Sequence, residues 1–178
     1  MHEIFITTRK ARAQQIVNGG IVAGLVGGAV IAALLAIMTL ARGDDIWPVF
    51  KTAGYPFLHR EALAPGFALG PVLVGVLCHF AISVIWGLGF AYFAFGMSRG
   101  GTVLFGALAG VVVWLAMYYV VLPTVGAGNL VRHVPWAIAA FNHIVFGLAM
   151  GLGFLPYQRP HAGPRPWQRH HRPVHAGT

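Results

Sequence analysis

Acidic residues are almost missing from this chain: Glu3, Asp44, Asp45 and Glu61 are the only four. Charged side chains of both signs together make up 9%, against about 25% in an ordinary soluble domain. That shortage excludes a globule coated by its own ionic groups. Cysteine is nearly absent too. Cys78 stands alone, which excludes an internal disulfide framework and a cysteine-built metal site. No GxxxxGK[ST] loop and no HExxH pair occurs, so the phosphate-cradling and zinc-hydrolase patterns are missing. No carboxylate falls inside an apolar stretch, so paired-carboxylate chemistry has no place there.

What remains is apolar. Hydrophobic residues make up 57% of the chain, and mean hydropathy is +0.72. They fall in four blocks, residues 17–41, 68–95, 102–125 and 134–156, none with Asp, Glu, Lys or Arg inside. Runs of about 20 such residues cross a bilayer as helices. The first block is too long for the core of a signal peptide and is read as a retained helix. Formal net charge is +8. In a soluble protein that excess would suggest nucleic acid. Here the cations flank apolar spans, so an anionic lipid surface is the expected partner, not nucleic acid. Arg9, Lys10, Arg12, Arg99, Arg159, Arg165, Arg169 and Arg172 fall on one side of the spans; Arg42, Lys51, Arg60 and Arg132 fall on the other. The positive-inside rule then places both termini in the cytoplasm.

The chain repeats a phrase. HFAISVIWGLGF (residues 79–90) and HIVFGLAMGLGF (143–154) each open on a histidine and close on Gly-Leu-Gly-Phe. GLVGG at 24–28 and GALAG at 106–110 match in the other two blocks. These likenesses predict an all-α membrane protein, a four-helix transmembrane bundle made of two tandem hairpins in parallel repeat. The expected divisions are a basic cytoplasmic N-terminus (1–16), a membrane domain (17–157) and a Pro/His/Arg-rich cytoplasmic tail (158–178). Repeat one covers about 17–97 and repeat two about 100–157. The outer loop, 42–66, carries Trp47, Phe50, Tyr55 and Phe57, suited to the headgroup region. A short helix near residues 46–52 is expected there, with Asp45 as a candidate N-cap and Pro48 in its first turn.

Burial does not drive helices together in lipid, whereas close backbone contact through small residues does. Gly20, Gly24 and Gly28 form one stripe; Gly106 and Gly110, with Thr102, form another. Gly75, Ser83 and Gly87 flank His79, and Ala139, Gly147 and Gly151 flank His143. All these glycines are expected at helix contacts. The histidines share those faces, roughly 13–16 Å deep, near the middle of a core about 30 Å thick. Ionisable groups at such depth are candidate functional residues. Three uses are open: packing hydrogen bonds to a neighbouring hydroxyl or carbonyl, with Ser83, Asn142, Tyr118 or Tyr119 as candidate partners; a path for a proton or small solute; and bis-histidine ligation of haem. The expectation is no cofactor and no metal, with haem as an alternative.

The segments CHFAISVIWG (78–87) and NHIVFGLAMG (142–151) resemble a group of small bacterial inner-membrane proteins of unknown function. That resemblance covers roughly residues 17–157. It implies four spans in a bacterial inner membrane, and no activity. The expected role is non-catalytic: a structural or accessory component that packs against a larger membrane complex or self-associates. The alternatives are a small conducting or transport unit around His79 and His143, and a haem-binding redox subunit.

Overall fold

The structure, a computed structural model, describes residues 2–129 and 134–158, with side chains from residue 10 onward. Arg132 and the tail beyond Gln158 lie outside them, so the orientation count and the tail's role are not addressed by the described residues. All regular structure among these residues is helical. The long helices are α1 (His2–Ala41), α4 (Leu69–Ala94), α5 (Arg99–Ala116) and α7 (Trp136–Phe154). Short helices α2 (Trp47–Lys51) and α3 (Tyr55–Leu58) occupy the outer loop, and α6 (Leu122–Thr124) continues α5. Four stretches are long and apolar enough to cross a membrane: Lys10–Ala41, Leu69–Ala94, Arg99–Thr124 and Trp136–Tyr157.

These match the four apolar blocks to within a few residues except at the start. The basic stretch before residue 17 is not a separate segment; it is the opening of α1. No proline or glycine precedes Gly19 to break the helix. Its far end stops at Gly43, whose φ of +74° suits a residue without Cβ. The Gly43 and Asp44 N–H groups return to the Leu40 and Thr39 carbonyls, closing the helix as a glycine-capped Schellman turn. At the start of α5, Ser98 accepts from the Gly101 N–H at 3.1 Å, an N-cap. Between α5 and α6 the backbone makes a π-helical turn, Met117–Val121. Pro123 explains it: the ring lacks an N–H and would strike the carbonyl one turn back, and the wider turn relieves both faults.

α1 lies between α4 and α7, and α7 between α1 and α5. The last helix is therefore the most enclosed of the four spans. α1 can sit there because its small residues come in pairs every four positions: Gly19-Gly20, Ala23-Gly24, Gly27-Gly28. The second member of each pair faces α4. A Cβ on Gly24 would lie 2.6 Å from Val84 Cα, and one on Gly20 would lie 2.8 Å from Leu88 Cα. The first member faces α7. A Cβ on Gly19 would meet Phe154 and Tyr157, and one on Gly27 would meet Met150 and Phe146; Ala23 is fully buried between them. Near one end the four helices gather on Phe90, which stacks on Phe105 at 5.6 Å and meets Phe154 edge-on at 5.9 Å.

The α5–α7 pair repeats the α1–α4 contact with its own glycines. A Cβ on Gly87 would strike the Gly20 carbonyl and Gly24 N; one on Gly147 would strike the Gly106 carbonyl and Gly110 N. Gly151 is looser, its Cβ position 3.1 Å from Val103 Cα. Gly75 departs from expectation. Its nearest neighbours belong to the outer loop and not to another span, its Cβ position 2.6 Å from Lys51 Cα. The loop is thus docked on α4. The expected short helix is α2, with Pro48 in its first turn and Ile46, not Asp45, in the cap position. Asp45 accepts from the Trp47 N–H at 3.2 Å and the Gly66 N–H at 2.5 Å. Lys51 is 1% exposed, and its ammonium donates to the Ala64 carbonyl and, at 3.0 Å, to the Gly66 carbonyl. A buried ammonium needs such partners, and no charge pattern in the sequence announced it.

Two outcomes follow from these contacts. Gly147→Ala should lower stability by about 1–3 kcal/mol through overpacking. Gly89→Ala, with nothing within 4 Å of its Cβ position, should be neutral or stabilising by up to about 1 kcal/mol. Thermal unfolding in detergent compares the two. The second concerns pH. The Gly66 N–H bond foremost, then the Trp47 N–H, hold the Asp45 carboxyl below the usual carboxylate range, with Lys51 adding to the effect. A depressed folded-state value supports the loop above the unfolded value of about 3.9, and that support is lost as pH falls through the folded value. Trp47, packed on Phe67 at 4.6 Å, should report this by fluorescence. The acid transition should vanish in Asp45→Asn, and its persistence there would contradict the assignment.

Candidate functional site

His79 and His143 occupy different helix pairs and are used differently. Nε2 of His79 lies 2.9 Å from the Gly28 carbonyl of α1, so the imidazole donates across the α1–α4 contact. Ser83, one turn on, donates to the His79 carbonyl at 2.8 Å and fills the space a Cβ on Gly28 would need. His143 makes its hydrogen bond within its own helix instead. Its Nδ1 lies 2.8 Å from the Ala139 carbonyl of its own helix, and its ring meets Tyr118 edge-on at 6.1 Å.

The difference has a steric cause. Aligning the two histidines pairs Gly87 with Gly151, and matching GLVGG to GALAG pairs Gly24 with Gly106. The tightest crossing in the first pair is at Gly24 and Gly87; in the second it is at Gly110 and Gly147. The second crossing is therefore displaced by one turn, about 5.4 Å, toward the C-terminal end of α5. His79 lies one turn away from its crossing, with room for a ring to span the gap. At His143 the backbone is itself the crossing: its carbonyl would be struck by a Cβ on Gly110, and Ile144 Cα lies 2.9 Å from that Cβ position. The ring has to turn along α7 instead.

Around His143 the second pair gathers aromatic groups. Trp114 meets Tyr118 at 6.2 Å, Tyr119 at 6.4 Å and Trp136 at 6.4 Å. Next to the histidine, Asn142 is buried. Its Oδ1 has no hydrogen-bond partner, nor does Trp114 Nε1. The π-helical turn adjoins this cluster. Of the four polar residues singled out by sequence, Ser83 joins His79, and Asn142 neighbours His143 in the chain; no hydrogen bond or ring contact joins the two histidines to each other. Both imidazoles bond backbone carbonyls, one of the two partner types expected, and neither bonds the side chain of Ser83, Asn142, Tyr118 or Tyr119. No group of three or more His, Cys, Asp or Glu gathers among the described residues.

Two other positions went unmarked by sequence. Gln158 donates to the Ala94 carbonyl at 2.9 Å and to the Thr102 hydroxyl, and accepts from the Gly96 N–H at 3.0 Å. It fastens the end of α7 to the α4–α5 turn. That turn, GMSRG at 96–100, fits the GxSxG letters of a nucleophile elbow. Its Ser98 hydroxyl caps α5, and no strand leads into it, so the elbow's strand–turn–helix context is missing.

Four helices of spanning length, with buried polar side chains turned onto backbone carbonyls, define a multi-pass membrane protein. Within that class the chain belongs to DUF6789, a family of unknown function, whose pattern covers residues 14–162. No curated protein and no solved structure matches the chain.

His79→Ala should cost about 1 kcal/mol, the usual size of an interhelical hydrogen bond in a membrane. His79→Gln, which keeps a donor, should recover part of it. Unfolding in detergent followed by tryptophan fluorescence measures both, and an unchanged His79→Ala midpoint would remove the bond from the account.

Proposed function

We propose that this chain is a non-catalytic structural or accessory component of a bacterial inner membrane, with both termini in the cytoplasm and two hairpins of a tandem parallel repeat. The observation that carries this reading is where the polar atoms go. His79, Ser83 and His143 bond backbone carbonyls of the helices. Thr102 does the same, with the Ser98 carbonyl at 2.9 Å. At Gly20, Gly24, Gly87, Gly106, Gly110 and Gly147 the contacts between spans leave less room than a methyl group needs. Such an interior supports assembly more than turnover. The repeat is supported by Gly87 and Gly147 making the same kind of contact in their two pairs. The bacterial setting rests on the resemblance of residues 78–87 and 142–151, and the orientation on the cation count.

Haem does not fit the residues as placed. Nε2 of His79, an atom iron would need, is given to Gly28, and His143 belongs to another interface. A conducting unit is the second reading, and one observation favours it: the unpartnered Trp114 Nε1 and Asn142 Oδ1 flank the Tyr118–His143 contact.

Native purification followed by proteoliposome assay tests the proposal. The accessory reading expects a defined complex or oligomer and proton flux equal to that of empty liposomes. Flux abolished by His143→Ala would overturn it in favour of conduction. A Soret band lost in His79→Ala and His143→Ala would overturn it in favour of haem.

A further inference from the structure

A cleft of about 520 Å³ opens between the start of α1 and the end of α4, lined by Arg12, Ala13, Ile16, Tyr92 and Phe93. Its composition is graded. Arg12 stands before the first apolar block, Ile16 at its edge, and Tyr92 and Phe93 in the last turns of α4. Tyr92 and Phe93 are two-thirds exposed and pack edge-on at 5.2 Å. Amphipathic rings at a span's end suit the headgroup level. The guanidinium of Arg12 lies 5.3 Å from the centroid of the Phe95 ring, which orients its N–H groups without using them. Among the described residues no carboxylate pairs with it, and the ion pair found there is Arg42–Asp44, on the opposite loop.

The same end of the molecule is basic beyond this cleft. Lys10 and Arg99 are exposed there. Gln158 fastens the end of α7 to the α4–α5 turn beside Arg99. A ligand for this end must be anionic at its head and apolar below.

We propose that the cleft is a site for one anionic phospholipid, its phosphate on Arg12, its glycerol region against Tyr92, and an acyl chain along Ile16 and Phe93. Guanidinium groups suit phosphate because their N–H fork matches its oxygens, and basic recesses between spans hold anionic headgroups. The proposal rests on the membrane-spanning reading but not on the accessory role.

The test uses the full chain. Carbonate extraction of membranes comes first, and a chain that is extracted refutes the membrane reading and the site together. For a retained chain, native mass spectrometry in detergent follows titration with phosphatidylglycerol, phosphatidylcholine or inorganic phosphate. The expected result is phosphatidylglycerol bound at least tenfold more tightly than phosphatidylcholine, with no phosphate adduct. Arg12→Gln should remove that preference, and Arg99→Gln should keep it. Phe93→Asp, at an exposed position, should also remove it and guards against misfolding of the first variant. Equal loss in Arg99→Gln would mean diffuse charge and overturns the site. So would absence of a headgroup preference, or equal binding of inorganic phosphate.

Discussion

Backbone touching backbone at glycine is the contact on which this molecule depends. In lipid there is no gain from hiding leucine from its surroundings, and the exposed stripes of α4 and α5 carry leucines freely, such as Leu77, Leu104 and Leu108. What distinguishes the buried faces is the missing Cβ. α1 has two such faces, offset by one residue, so it can lie against α4 and α7 at once. α5 has one, against α7. The arrangement α4–α1–α7–α5 follows from which helices have how many smooth faces, and the phenylalanine cluster around Phe90 then fills the end where the four gather.

The two hairpins show how a small displacement changes chemistry. The same glycine contact is made one turn further along in the second pair. That shift leaves His79 beside its crossing and puts the backbone of His143 inside it. One imidazole becomes an interhelical tie. The other turns along its own helix toward Tyr118, in a region where Trp114 and Asn142 keep unpartnered polar atoms and Pro123 forces a wide turn. Residues in matching places in two similar phrases thus end in unlike surroundings, and the packing of the glycines decides which is which.

Much of this was legible in the sequence, because membrane helices need long uncharged runs and those are hard to mistake. All four spans, the short loop helix around Pro48 and the stripe Gly20, Gly24, Gly28 could be read from spacing alone. The second stripe, Gly19, Ala23 and Gly27, was equally visible as the other half of each small pair, but a stripe does not say how many neighbours a helix has. Gly75 was misplaced because a smooth face is the same whether a span or a loop lies on it. Lys51 and Gln158 were invisible. Their partners are backbone carbonyls brought near only by the fold, and carbonyls leave no mark in a sequence. The one-turn shift was likewise hidden, since both glycine registers satisfy the same four-residue spacing.

The most direct test is magic-angle-spinning NMR of the protein in bilayers with labelled glycine, serine and histidine. The account predicts through-space cross-peaks from Gly24 Cα to the Ser83 carbonyl carbon and from Gly110 Cα to the His143 carbonyl carbon. Cross-peaks from Gly24 and Gly110 to lipid acyl chains, with none between the helices, would contradict it.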